Sequence, residues 1–167
     1  MRVTSSGMPE AQERLAAIVA RLRDMRPILE VVAQDVRTAI DDSFAAERAP
    51  DGTPWAPLSA ATKKINPRRE GGRVLTDTAR LRNSVTTVAS AKSLRFGTNV
   101  LYGAAHQTGA QIKVFGRGTS RALRARPFLP VSGTAGRFIL TTSGPAGTMW
   151  ARVRSDIEHW VATGEVR

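Results

Sequence analysis

Ala49-Pro50-Asp51-Gly52-Thr53-Pro54-Trp55-Ala56-Pro57-Leu58-Ser59 places three prolines, a glycine and a tryptophan within eleven residues. Proline has no N–H to donate and clashes with a preceding helical turn, so the stretch is neither helix nor central strand. Pro50-Asp51-Gly52 predicts a turn, because proline presets φ, aspartate bonds its own downstream backbone and glycine accepts positive φ. Beyond the turn the chain reads as a stiff extended strap. Trp55 and Leu58 are too large and apolar for an ordinary solvated loop, and proline on either side of Trp55 lowers the entropy of holding the ring. Two roles are open to that ring: capping the core of its own chain, or anchoring a neighbouring subunit. The strap is expected to give more to contacts between subunits than to the core.

Upstream, residues 9–46 are helical in pattern. Leu15, Ile18, Leu22, Met25, Leu29, Val32 and Val36 recur at alternating spacings of three and four, and Ile40 and Phe44 continue the stripe. Pro27 must kink this helix or begin a second one after Arg26. A seam kept for three heptads fits packing against another helix, of this subunit or of the next.

Downstream, Ser59 is placed to cap a short helix over residues 60–62. Residues 63–73 hold five basic groups, one acid and two adjacent glycines, and read as a flexible basic loop. Residues 74–85 predict a second helix, with Thr76 or Asp77 as N-cap and Leu81 and Val85 on one face. Residues 86–89 and 94–97, separated by Ser90-Ala91-Lys92-Ser93, predict a hairpin. Tyr102 and His106 fall four apart, on one face of a helical turn. His106 is read as structural, hydrogen-bonded in a packed corner. Residues 111–115 read as a strand, and Gly116-Arg117-Gly118-Thr119-Ser120 as an exposed tip that completes no phosphate-binding glycine motif. Residues 121–130 alternate basic and apolar groups before a proline-bounded aromatic, which suits an edge strand with a positive outer face and with Phe128 and Leu129 closing the core. Residues 133–147 are rich in Gly, Ser and Thr around Phe138-Ile139-Leu140 and fit a small hairpin or projecting loop. Residues 149–162 return to helical spacing, and Gly164 ends them.

A chain of 167 residues with 41% hydrophobic content supports one folded domain. It is expected to be organised as an N-terminal helical segment (1–48), an α+β core carrying the strap and basic loop (49–132), and a Gly-rich insert with a C-terminal helix (133–167). The absence of cysteine excludes disulfides, zinc-thiolate sites and cysteine nucleophiles. No secretion-type apolar run opens the chain and nowhere do eighteen apolar residues stand together, so it reads as a soluble product of a cytosol with no membrane contact. Lys and Arg outnumber Asp and Glu by 25 to 14, and the formal charge of +11 calls for an acidic partner. Asp51, Asp77 and His106 offer acid–base groups, yet no triad, metal-ligand spacing or carboxylate pair accompanies them. No catalytic residue, metal or cofactor is therefore expected. Direct nucleic-acid binding is the second reading: charge favours it, but aromatics at 5% are too few for a stacking platform and no recognition helix is evident.

The order of motifs is distinctive. After a long N-terminal helix come the strap, then Thr62 and the basic loop, then Leu75-Thr76-Asp77-Thr78-Ala79-Arg80-Leu81-Arg82-Asn83-Ser84-Val85. Phe96-Gly97-Thr98-Asn99, Tyr102-Gly103-Ala104-Ala105-His106-Gln107-Thr108-Gly109 and Arg126-Pro127-Phe128-Leu129 follow. Across roughly residues 44–129 this series resembles the virion morphogenesis proteins of tailed bacteriophages, the family that includes the tail-completion protein S. Two departures stand out: the family commonly has glycine where Ala79 stands, and residues 133–147 intervene before the C-terminal helix. The resemblance implies an α+β fold, with a long N-terminal helix, a small antiparallel β-sheet with a short packed helix, and a C-terminal helix. It implies a structural protein of the virion neck or head-proximal tail, assembled in the host cytoplasm as a ring of six or a multiple of six. There it completes the tail or joins it to the head, beside other neck, connector or tail proteins. On that reading Trp55, Leu58, Leu75, Leu81, Tyr102, His106 and Phe128 are interface residues. Lys63, Lys64, Arg68, Arg69, Arg117, Arg121, Arg124 and Arg126 face DNA in the lumen or an acidic adjoining ring.

Overall fold

Asp24 and Met25 divide the N-terminal seam into two helices, α1 (Met8–Arg23) and α2 (Arg26–Ala46). The computed structural model describes residues 7–113, 120–134 and 137–166. Asp24 leaves helical geometry at φ −132° and ψ 92°, and its Oδ1 accepts the Arg26 N–H at 3.1 Å. Pro27 stands in the first turn of α2, where a missing N–H costs nothing. The two helices differ sharply in what they bury. Ile28, Leu29, Val32, Val36, Ile40 and Phe44 make α2 the central element, whereas no residue of α1 is buried.

After the strap come α3 (Ala60–Ile65), a 3-10 turn (Pro67–Arg69) and the single turn α4 (Arg80–Asn83). Ser59 caps α3 as expected, its hydroxyl accepting the Thr62 N–H at 3.2 Å. The predicted helix over 74–85 is mostly absent. Leu75 and Ala79 adopt φ of 58° and 54°, which no helix continues through, and Val85 opens strand β1 instead of sharing a helix face with Leu81. The resemblance implies glycine at position 79, the residue for which positive φ is free of cost.

β1 (Val85–Ala89) pairs antiparallel with β2 (Leu94–Thr98) in the register Val85↔Thr98 to Ala89↔Leu94. Helix α5 (Leu101–Thr108) follows, then β3 (Ala110–Lys113) paired with β4 (Ser120–Leu123), and β5 (Val131–Thr134) paired with β6 (Arg137–Leu140). The chain ends in α6 (Gly144–Thr163), closed by Gly164 at φ 85°. The fold is α+β. Its strands form three separate two-stranded ribbons among the described residues, so the small sheet is divided, and the strand expected over 121–130 runs only to Leu123. Residues 133–147 supply most of the β5–β6 hairpin and the first turn of α6.

One core gathers α2, Trp55, Val74, Leu81, Val85, Val100, Phe128, Met149 and Val153. Phe44 is its hub: the rings of Trp55, edge-on, and Phe128, tilted, both lie 5.5 Å away. A smaller cluster joins Ile28, Leu29 and Trp160. On the outer side of α2, Asp41 accepts Nε–H bonds from Arg37 at 3.0 Å and from Arg82 at 2.7 Å. Burial pushes the Asp41 carboxyl up, but the bonds from Arg82 and Arg37 outweigh it and hold the group below the usual carboxylate range.

Candidate interface cleft

Prolines deprive the strap of N–H donors, so among the described residues it makes only the single bridge Arg48↔Pro54, and donors elsewhere in the chain reach several of its other carbonyls. Arg126 is buried, with Nε 2.8 Å from the Ala56 carbonyl and Nη2 3.0 Å from that of Pro57. The Trp55 indole N–H donates to the Pro127 carbonyl at 2.7 Å, and the Ala146 N–H at the start of α6 donates to Pro50 at 2.9 Å. Within the turn, Asp51 Oδ1 accepts the Thr53 N–H at 2.8 Å. Gly144, at φ 59°, lies so close to Asp51 that a Cβ there would overlap its carbonyl.

The strap thus grips its own chain. Trp55 is 6% exposed, and Leu81 and Phe128 are as deeply buried, so these three, expected at an interface, are core. Arg126 belongs with them rather than with a partner-facing basic group. Arg69 is likewise buried; it pairs with Asp77 at 2.9 Å and donates to the Arg73 carbonyl at 3.2 Å.

The remaining residues expected at an interface do meet. A cleft of about 1040 Å³ opens between the strap and α3 on one side and α5 and β4 on the other. Leu58, Leu75 and Tyr102 line it, and so does Ile65, an apolar side chain left exposed. The Tyr102 and His106 rings stand edge to face at 5.9 Å on successive turns of α5. Arg124 and Arg80 form an exposed rim, neither in an ion pair among the described residues. His106 does not find the hydrogen bond expected of it: Nδ1 is buried without a partner among the described residues. Burial first, and then the nearby Arg126 charge, lower its pKa, so the imidazole is neutral at pH 7. An apolar floor under an arginine rim suits a protein segment that brings apolar side chains flanked by acids.

Lys63, Lys64 and Arg68 are exposed on α3 and the turn after it. Arg121 lies in β4, opposite Ile112, and Arg117 falls outside the described residues. Sequence reasoning missed Gln107, which is buried on α5 and holds the Arg-Pro-Phe-Leu segment in place. Its Oε1 accepts the N–H groups of Phe128 at 3.0 Å and Leu129 at 3.1 Å, while Nε2 donates to the Val131 carbonyl at 3.0 Å. It also missed Ile65, since a single apolar side chain in a basic loop carries no signal of its own. Among the described residues no group of His, Asp and Glu could hold a metal ion, and no helix is long and apolar enough to cross a membrane.

A closed α+β body with an apolar cleft under a basic rim has a surface suited to docking. The chain belongs to the phage virion morphogenesis family, whose model matches residues 8–156, from α1 into α6. It is accordingly a phage structural and assembly protein associated with the virion. No curated protein and no solved structure matches it.

Proposed function

We propose that this chain is a ring-forming subunit of the neck or head-proximal tail, where it completes the tail and joins it to the head. The open cleft carries this reading. The strap satisfies itself within the subunit, while Ile65, Tyr102, Arg80 and Arg124 are left for a neighbour to cover. A ring subunit needs two different contact surfaces and a further one toward the next layer of the particle. Copies of the same chain, in six-fold or a multiple, and adjoining neck, connector or tail proteins are the partners. The neutral His106 and its apolar surroundings favour a protein segment over phosphate inside the cleft.

Electron micrographs of particles made without the protein test the role. Separate heads and tails are expected; normal joined particles would overturn it. A second reading concerns Lys63, Lys64 and Arg68, which stand exposed on one segment and suit DNA phosphates in the lumen. Salt-sensitive binding of duplex DNA by the purified protein, lost when all three are changed to Ala, supports that reading.

A further inference from the structure

Helix α1 leaves its apolar stripe in water. Met8, Leu15, Val19 and Leu22 recur at helical spacing along it, with Leu15 62% and Leu22 46% exposed. Its hydrogen bonds to the body, among the described residues, come from one side chain. Arg21 Nη1 reaches the carbonyls of Val161 at 2.8 Å and Ala162 at 3.0 Å, and Nη2 that of Thr163 at 2.9 Å. The guanidinium thereby caps the last turn of α6 and fixes the C-terminal end of α1 there. A helix of 16 residues in which none is buried and only Ala17, Ile18 and Arg21 are partly covered is marginally stable, so the stripe needs a cover.

A second uncovered apolar surface lies elsewhere on the same chain. A groove of about 410 Å³ runs between α2, β2, β6 and α6, walled by Leu29, Val32, Phe96, Trp150, Val153 and Ile157, and no residue of α1 lines it. Leu140 at its edge continues into the exposed Phe138 and Ile139 of the β5–β6 hairpin. Its charged groups are Arg154 and Glu158, neither in an ion pair among the described residues.

We propose that α1 of one copy lies in this groove of the next copy. The Arg21 clasp holds α1 at the end of α6 and away from its own groove, so the groove of a second chain is the complementary surface that every copy brings. Charge selects the same end of the helix. A chain of +11 repels its copies, but the first half of α1 sets Glu10 and Glu13 against a single Arg14 and the groove sets Arg154 beside Glu158, so this contact adds nothing to that repulsion and Arg154 can meet an acid of α1. Donor and acceptor are different patches, so the contact does not end at a dimer and closes only as a ring. The inference names the contact of the ring proposed above and rests on that reading for closure alone.

The chain has no cysteine, so single cysteines report the contact directly. Leu15→Cys and Leu140→Cys alter exposed positions and are expected to fold. Purified separately, mixed and mildly oxidised, they should give a mixed disulfide dimer in preference to either homodimer, and the double variant a ladder of covalent oligomers. Leu22→Asp should lose the oligomer mass in light scattering and keep the cooperative melting of the core, with any fall in helical circular dichroism no larger than the 16 residues of α1 account for. A dominant Leu15→Cys homodimer, an internal disulfide at monomer mass, or a native protein that stays monomeric without crosslinks would each overturn the inference. Crosslinking that succeeds while particles lacking the protein still join would leave this contact standing and remove the neck assignment. Separate heads and tails without the crosslink would do the reverse.

Discussion

Replacing Trp55 with alanine removes an indole that lies edge-on to Phe44 at 5.5 Å and gives its N–H to the Pro127 carbonyl at 2.7 Å. Truncating a buried tryptophan costs about 3–5 kcal/mol, and the carbonyl left without a donor adds about 1 kcal/mol. The loss of about 4–6 kcal/mol compares with about 5–15 kcal/mol for an entire domain. For a chain of this size each kcal/mol moves the melting point by about 2–4 °C, so a fall of about 8–24 °C is expected. Trp55→Phe keeps most of the packing and loses the hydrogen bond, for about 1–2 kcal/mol. Thermal unfolding by circular dichroism, with light scattering on the same samples, separates stability from association. A Trp55→Ala protein melting within about 2 °C of the native one and merely failing to associate would refute the placement of this ring in its own core.

Neutralising Lys63, Lys64 and Arg68 together should change the melting point little, since all three are exposed. Arg69→Ala, which breaks the Asp77 pair and the bond to the Arg73 carbonyl, should cost about 1–3 kcal/mol by denaturant titration. Arg126→Met should cost about 2–4 kcal/mol by the same assay, because it orphans the Ala56 and Pro57 carbonyls together. Ala79→Gly should stabilise by about 0.5–1 kcal/mol, relief of positive φ outweighing the added freedom of the unfolded chain. His106 has its pKa lowered from 6.5, so between that value and the lowered one the unfolded chain binds more protons than the native state. Its contribution is complete above about pH 6.5 and is lost as pH falls through the lowered folded value. Urea midpoints measured across pH 5–8 should show that slope, and His106→Gln should flatten it.

The parts of the fold legible in the sequence are those whose cause is local. The spacing of Val32, Val36, Ile40 and Phe44 announces α2, Pro27 announces a kink or a new start of which the structure shows the second, and Ser90-Ala91-Lys92-Ser93 announces the first hairpin. What escaped notice depends on distant partners. The strap could be read as stiff, but which way Trp55 faces is decided by Phe44 and by Arg126 and Pro127, some seventy positions on. Counting charges could not tell Arg69 and Arg126, spent on the chain's own carbonyls and carboxylate, from Lys63 and Arg124, which are not. The positive φ at Leu75 left no mark either, because leucine does not signal it.

The motifs behind the family resemblance meet one another in space: the strap carbonyls on Arg126, Trp55 on Pro127, and Gln107 on Phe128 and Leu129. Their joint occurrence is therefore accounted for by closure of the subunit and needs no partner. Large apolar groups left exposed lie on the α1 stripe and along the β5–β6 hairpin, outside those motifs, and at Ile65 and Tyr102 within them. Substitutions should divide accordingly. Changes at the buried motif residues Trp55, Gln107, Arg126 and Phe128 lower the melting point and deplete soluble protein, while charges placed at Leu15, Ile65 or Ile139 leave melting within about 2 °C and abolish incorporation into particles. A charge at Ile139 that unfolded the subunit, or one at Trp55 that left it folded, would mean that closure and docking share a surface.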